Sequence, residues 1–137
     1  MCIRDRAEQF ERTFAFGGQG GDDVANYFGS AGDDRYFGYQ TSSIWRGPND
    51  EFFHTVNNFN NNVVFASEGG NDRAFLFDGT ENDLFFGRDD DSFLSRVGYI
   101  NRLINVEQIE INGFNGPTNT LNVDSLDYVL SVRGDWV

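Results

Sequence analysis

The chain has 137 residues and a formal net charge of −12, which comes from 22 acidic residues and 10 basic residues, all of them arginine. This charge disfavours binding to nucleic acid phosphates and to anionic membrane surfaces, and no apolar run approaches the roughly 20 residues that cross a bilayer. The length indicates one structural unit. With 15 Phe and 16 Gly, the composition favours strands and tight turns over helices.

The first six residues are set aside from the fold. They lack the apolar stretch of a secretory signal and resemble a translated adapter remnant, so residues 1–6 are interpreted as a non-native leader. Residues 7–137 are then predicted to form a single repeat domain. The only cysteine is Cys2, which excludes an internal disulfide and a thiolate metal site.

The chain repeats itself at an offset of 49 residues. Residues 70–78 lie over 21–29, and residues 82–87 lie over 33–38, with Gly, Asp and aromatic positions preserved. We therefore predict two copies, at about 17–67 and 68–114, and a shortened third copy at about 115–137.

Short apolar runs bounded by Gly, Asn and Asp predict strands within these copies. In chain order these runs are 63–66, 73–77, 84–86, 106–111 and 121–132. Between them, Phe93, Val97, Ile100 and Ile104 are spaced at three or four residues, which predicts a short helix within 92–106.

Short strands repeated at a fixed period cannot bury a face alone, so neighbouring copies must stack. We predict an all-β fold, a β-solenoid of parallel β-helix or β-roll type built from repeats of about 49 residues. This period is longer than the roughly 20–29 residues of common solenoids, so each copy is either two coils or one coil with an excursion. A small β-sandwich or a propeller-like arrangement is the alternative.

Residues 17–25 fit the nonapeptide G-G-x-G-x-D-x-U-x, with Val24 as the large apolar residue. Residues 29–37 fit it with Ser30 in place of a glycine, and residues 78–86 keep only its acidic and apolar part, with Glu81 at a glycine position. This stretch resembles the RTX, or haemolysin-type, calcium-binding repeat. Glycines allow tight turns that point carbonyl oxygens inward, and Asp supplies a carboxylate. Asp23 and Asp34 are 11 residues apart, which departs from a nine-residue ladder.

The resemblance implies calcium as the cofactor. Copies stacked in register are expected to place Asp23 near Asp72 and Asp34 near Asp83, where a cation would relieve carboxylate repulsion. The alternative is that these residues cap turns without a metal. The acidic residues at motif positions, and thus the predicted calcium ligands, are Asp22, Asp23, Asp33, Asp34, Asp72, Asp78 and Asp83.

Three other groups of residues were considered as site residues. The run 89–91 is a solvated acidic loop or a second cation site. His54, the only histidine, is predicted at the surface or rim, and no nucleophile motif accompanies it. Trp45, Trp136 and Tyr39 either stack on a sugar or belong to the core.

The resemblance implies a structural, calcium-responsive β-repeat segment of a larger secreted or cell-surface bacterial protein, and not an enzyme. Its expected partners are the neighbouring repeats of the parent chain. One alternative is an adhesin module that binds a carbohydrate or protein, with an extracellular glycan or surface partner. The other is a fragment of a β-helical enzyme acting on polysaccharide, which needs converging carboxylates. Neither nucleic acid binding nor membrane insertion is expected.

Overall fold

The computed structural model describes residues 11–18 and 20–137, so the predicted leader at 1–6 lies outside the described residues. The described chain forms strands joined by turns, and its only helical segment is a 3-10 turn at Pro48–Asp50. The strands are β1 (Arg12–Phe16), β2 (Val24–Phe28), β3 (Arg35–Gly38), β4 (Ser42–Arg46), β5 (Phe53–Asn57), β6 (Asn61–Phe65), β7 (Arg73–Phe77), β8 (Leu84–Asp89), β9 (Asp91–Arg96), β10 (Tyr99–Ile104), β11 (Gln108–Gly113), β12 (Thr120–Leu126) and β13 (Val129–Gly134).

The strands form two sheets between which the chain passes repeatedly. Sheet A has the order β1-β5-β4-β3-β7-β11-β13, and sheet B has the order β12-β8-β9-β10-β6-β2. The result is a β-solenoid of about three turns. The predicted all-β solenoid is confirmed.

Each copy contains one coil and an excursion. The excursions are the antiparallel meanders β3-β4-β5 in sheet A and β8-β9-β10 in sheet B, whereas the coils pair in parallel. Most parallel partners are 35 to 41 residues apart, from Arg73 with Gln108 to Arg12 with Phe53. The stacking distance along the chain is therefore shorter than the 49-residue sequence repeat.

Successive copies begin in opposite sheets. The first copy starts with β2 in sheet B and has its meander in sheet A, and the second starts with β7 in sheet A and has its meander in sheet B. Equivalent strands of the two copies therefore lie in different sheets, and residues 49 apart do not stack on each other.

Side chains that alternate along each strand fill the space between the sheets. Tyr36, Trp45, Leu76, Phe85 and Leu103 are almost completely buried there. Each such side chain contributes roughly 1.5–3 kcal/mol through removal of apolar surface from water. Trp45 thus belongs to the core, which is one of the two interpretations that its sequence position allowed.

A row of hydrogen-bonded polar side chains crosses this core. Tyr27 Oη donates to Ser43 Oγ at 2.9 Å, Ser43 Oγ donates to Asn62 Oδ1 at 3.1 Å, and Asn62 Nδ2 donates to Tyr99 Oη at 3.1 Å. Burial raises the pKa of Tyr99 to about 12, although Arg96 opposes the shift. Because buried polar groups cost free energy unless paired, the row favours one register of the two sheets.

The predicted helix within 92–106 is wrong. This segment forms the antiparallel strands β9 and β10, joined by a turn in which Gly98 has φ +73°. The residues spaced like a helical stripe face outward, and Val97 is 89% exposed. The buried set instead alternates along the strands, with Leu94, Asn101 and Leu103 inside.

Three other residues singled out from the sequence, His54, Trp136 and Tyr39, are partly buried. His54 is half-buried on β5 and stacks on Phe52 with ring centroids 5.2 Å apart, and partial burial lowers its pKa. Trp136 packs against the core. Tyr39 is half-buried and stacks on Phe77 at 4.9 Å.

Candidate functional site

The first candidate site lies along the edge where the chain passes from sheet B to sheet A. Asp34 directly precedes β3, Asp72 directly precedes β7, and Glu107 directly precedes β11. Since β3, β7 and β11 are neighbours in sheet A, these residues follow one another along the edge. We call the set Asp33, Asp34, Asp72 and Glu107 the acidic corner.

Three of the four carboxylates of the acidic corner, those of Asp33, Asp72 and Glu107, accept a backbone hydrogen bond from the coil beside them. Asp34 N donates to Asp72 Oδ1 at 2.7 Å, and Asp72 N donates to Glu107 Oε2 at 2.8 Å. Asp33 Oδ1 accepts a hydrogen bond from Asn71 N at 2.9 Å. The acidic side chains therefore bind successive coils to one another through the backbone, as turn carboxylates do.

Asp34 is fully buried and also well supplied with donors. Ser30 N and Ser30 Oγ donate to its two carboxylate oxygens, at 2.5 and 2.9 Å. Burial raises the pKa of Asp34, the Ser30 hydrogen bonds oppose this, and repulsion from Asp33 and Glu51 adds to it.

Asp72 is fully buried, but one of its oxygens is not satisfied. Asp72 Oδ2 has no hydrogen-bond partner in the described part of the chain. Burial raises the pKa of Asp72 to about 7, the hydrogen bond from Asp34 N opposes this, and the charges of Asp34, Glu107 and Asp33 raise it further. This oxygen is the atom of the corner most in need of a proton or a cation.

The second candidate site lies on the opposite edge, where the chain passes from sheet A to sheet B. We call Asp78, Asp83, Arg96 and Asn119 the arginine corner. Asp83 N donates to Asn119 Oδ1 at 2.9 Å, and Gly79 N donates to Asp83 Oδ2 at 2.8 Å. These bonds match those of the acidic corner, because Asp83 lies 49 residues after Asp34 and Gly79 lies 49 residues after Ser30.

A buried guanidinium distinguishes the two corners. Arg96 Nη2 lies 3.2 Å from Asp83 Oδ2, with the two side chains 4% and 0% exposed, and it also donates to Phe77 O at 2.9 Å. Burial raises the pKa of Asp83, and the Gly79 hydrogen bond and Arg96 oppose the shift. The charge of Asp83 is thus compensated inside the protein.

Local sequence explains why only one corner contains an arginine. A side chain at Gly79 would begin 2.7 Å from Arg96 Nη1, so glycine leaves room for the guanidinium. In the first copy Ser30 occupies this position and donates to Asp34 instead. Trp45 Nε1 donates to Phe28 O at 3.2 Å, which is the carbonyl equivalent to the one that Arg96 contacts.

The seven predicted ligands are divided between the two edges. Asp33, Asp34 and Asp72 lie together in the acidic corner, and Asp78 and Asp83 lie in the arginine corner. Asp78 accepts hydrogen bonds from the turn at 115–119, so it acts as a turn cap.

Asp22 and Asp23 precede β2, which is four strands away from β8 in sheet B. At about 4.8 Å per strand, this is about 19 Å from the arginine corner. Asp23 N instead donates to Asn60 Oδ1 at 3.4 Å.

The expected stacking of Asp23 on Asp72 and of Asp34 on Asp83 is wrong. Asp34 contacts Asp72, and Asp83 contacts Asn119. The reason is that successive copies begin in opposite sheets, so the first acidic residue of one copy stacks on the second acidic residue of the copy before it.

The metal chemistry available to these side chains is limited. Within residues 11–18 and 20–137, no group of three or more His, Cys, Asp or Glu side chains is arranged to hold a metal ion. The run 89–91 is engaged in other contacts, since Asp91 pairs with Arg102 at 2.6 Å and Asp89 accepts a hydrogen bond from Ser125. The acidic corner offers the donor type that calcium takes, carboxylate oxygen, at three successive coils that are hydrogen-bonded to one another.

Three residues of these corners were not found by sequence reasoning. Glu107 lies within the predicted strand 106–111, where nothing marked it as a site residue, and Arg96 lies within the wrongly predicted helix. Asn119 is the structural equivalent of Asp72, because it accepts the hydrogen bond from Asp83 N as Asp72 accepts the one from Asp34 N. The two residues are 47 positions apart rather than 49, so the repeat of the sequence does not align them. The segments 56–59 and 103–106 resemble each other loosely at an offset of 47, which is a sequence signal of the same shift.

Comparison with protein-family models, with curated proteins and with solved structures found no match. In the part of the chain that the structure describes, no helix is both long and apolar enough to span a membrane.

Proposed function

We propose that this chain is a structural β-repeat segment of a larger secreted or cell-surface protein, and that calcium stabilises it at the acidic corner. The observation that carries the proposal is Asp72, a fully buried carboxylate with one oxygen left without a donor. The resemblance of residues 17–37 to RTX repeats supports calcium as the cation, and it is the only support for the extracellular location.

The arginine corner indicates what the acidic corner needs. The same turn in the second copy contains a positive charge, Arg96, 3.2 Å from Asp83. The first copy has no arginine at this place, so a cation from solution would perform the same role. Calcium takes six to eight oxygen ligands, so Asp34, Asp72 and Glu107 would have to converge more closely than in the structure, with water completing the shell.

Thermal unfolding with added calcium tests this proposal. At a calcium concentration about 100-fold above its Kd, binding to the folded state alone adds about 2.7 kcal/mol to the free energy of unfolding. We expect calcium to raise the melting temperature of the native sequence, magnesium to raise it much less, and Asp72→Asn to abolish the calcium effect. Asp124→Asn is the matched control, because Asp124 is 74% exposed.

Two results would count against calcium. One is a melting temperature that does not change with calcium, and the other is an equal response in Asp72→Asn and the native sequence. Either result would assign the aspartates to turn capping alone and leave the structural role without a metal.

A second candidate function, a binding module, is favoured by the outer faces of the sheets. Not all aromatic side chains are in the core: Phe14 and Phe16 on β1 are 63% and 70% exposed, and Phe28 on β2 is 68% exposed. Exposed rings on a regular surface are typical of ligand or partner sites. This function does not require calcium.

A further inference from the structure

Four arginines lie in one row across the outer face of sheet A. The register aligns Arg12 with Phe53, Phe53 with Arg46, Arg46 with Arg35, and Arg35 with Arg73. These four are half of the eight arginines in the described part of the chain. We call them the arginine row.

The row concentrates positive charge on a protein whose net charge is −12. Arg35 lies directly between Arg46 and Arg73, and like charges on neighbouring strands destabilise a sheet. Asp50 is the only carboxylate within 4 Å of any of these arginines among the described residues, at 2.8 Å from Arg35 and 3.7 Å from Arg46. Positive charge therefore remains available on this face, at Arg73 above all.

The guanidinium groups lie on aromatic rings. Arg46 is 4.8 Å from the ring centroid of Phe53 and 5.7 Å from that of Phe37, and Arg73 is 5.4 Å from that of Phe75. Phe37 and Phe75 stack on each other at 5.1 Å in the adjacent row. These contacts orient the cations beside a strip of apolar surface.

We propose that the arginine row binds an acidic polysaccharide whose sugar rings carry carboxylate groups. Guanidinium groups take carboxylates through paired hydrogen bonds, and the strands present them at steps of about 4.8 Å or its double. The apolar faces of the sugar rings pack on the strip formed by Phe37 and Phe75. The inference deepens the binding function proposed above by naming its surface and ligand class, and it does not depend on calcium.

Two other anionic partners fit this surface less well. The row begins at Arg12 on the edge strand β1, but Arg46, Arg35 and Arg73 lie on strands that are paired on both sides. A peptide added as a strand beside β1 would therefore not reach these three arginines. Double-stranded DNA has one charge per about 1.7 Å of axis, and the acidic protein would repel it more strongly than a polymer with one charge per sugar.

Affinity electrophoresis of the full chain in gels containing polygalacturonate tests the proposal. The gels contain a chelator, so that calcium neither cross-links the polymer nor contributes to binding, and dextran is the neutral control polymer. We expect retardation by polygalacturonate alone, and a loss of affinity of at least about tenfold in the Arg35→Gln/Arg73→Gln variant. Arg88→Gln is the matched control, because Arg88 is 63% exposed on sheet B.

The native mobility without polymer and the circular dichroism spectrum verify that each variant is folded, and the single variant Arg73→Gln replaces the double one if the latter is not. Absence of retardation, or equal loss in Arg88→Gln, would overturn the proposal. Equal retardation by poly-glutamate would overturn the sugar assignment and indicate an acidic peptide. Because no arm contains calcium, these outcomes leave the calcium proposal untouched.

Discussion

Replacing Asp72 with asparagine should stabilise the protein above neutral pH. The carboxylate is fully buried and one of its oxygens has no donor. The arginine corner already contains this substitution, because Asn119 accepts the equivalent hydrogen bond from Asp83 N at 2.9 Å. Asparagine at position 72 can keep the bond from Asp34 N and removes the buried charge.

The magnitude follows from the pKa of Asp72. Its value is about 7 in the folded state and about 3.9 in an unfolded chain, so the folded state binds the proton more tightly. Stability associated with the protonated form is complete below about pH 4 and is lost as the pH rises towards 7. Three pKa units correspond to an upper limit of about 4 kcal/mol. We expect Asp72→Asn to gain about 2–4 kcal/mol at pH 8 and little at pH 4.

Urea unfolding at both pH values, followed by tryptophan fluorescence, measures this difference in a calcium-free buffer. The buried Trp45 reports on the core. A variant no more stable than the native sequence at pH 8, or a gain of the same size at pH 4, would show that Asp72 does not carry the buried charge.

Three further substitutions, one of them with a matched control, test other parts of the fold. Arg96→Met leaves Asp83 buried without its cation and should lower the free energy of unfolding by about 3–5 kcal/mol at pH 7. Its control, Arg102→Met, breaks an exposed ion pair and should lower it by at most about 1 kcal/mol. Equal losses of stability in urea unfolding would refute the role of the buried ion pair. Asn62→Ala should cost about 1–3 kcal/mol, because it leaves buried polar partners unsatisfied, and a neutral effect in the same assay would contradict this. Gly98→Ala should cost about 1 kcal/mol or more, because φ is +73° there, and an unchanged midpoint would argue against the β9–β10 turn.

The fold class could be predicted from the sequence because the relevant signals are local. The run 73–77 lies between turn residues and forms β7 with the predicted bounds. The internal repeat then required stacking. The helix within 92–106 was predicted because an apolar residue every three or four positions also arises in a hairpin, when outward-facing residues are apolar too. Phe93 on β9 and Ile100 on β10 are such outward-facing residues. Their strands nevertheless show the ordinary alternation of buried and more exposed side chains.

The contacts of the candidate site could not be predicted, because they depend on which coil lies beside which. Asp34 and Asp72 are 38 residues apart and touch, whereas residues 49 apart are equivalent but lie in different sheets. An offset of 49 is the repeat of the sequence, and an offset of about 37 is the repeat of the structure. The two offsets are related through the positions of the two meanders, which the sequence does not show.

The alternation of sheets also explains how one motif produces two different corners. If copies stacked directly, each aspartate would face its own equivalent, and an arginine gained in one copy would serve only that level. Here the second acidic position of each copy faces the first acidic position of the next copy. The pairs are therefore Asp34 with Asp72, and Asp83 with Asn119, where asparagine occupies the acidic position. The pairs lie on opposite edges of the solenoid, so each is free to change independently. One pair contains Asn119 in place of a second carboxylate and has Arg96 beside it. The other contains two carboxylates, which makes it the place where solution conditions can control the stability of the segment.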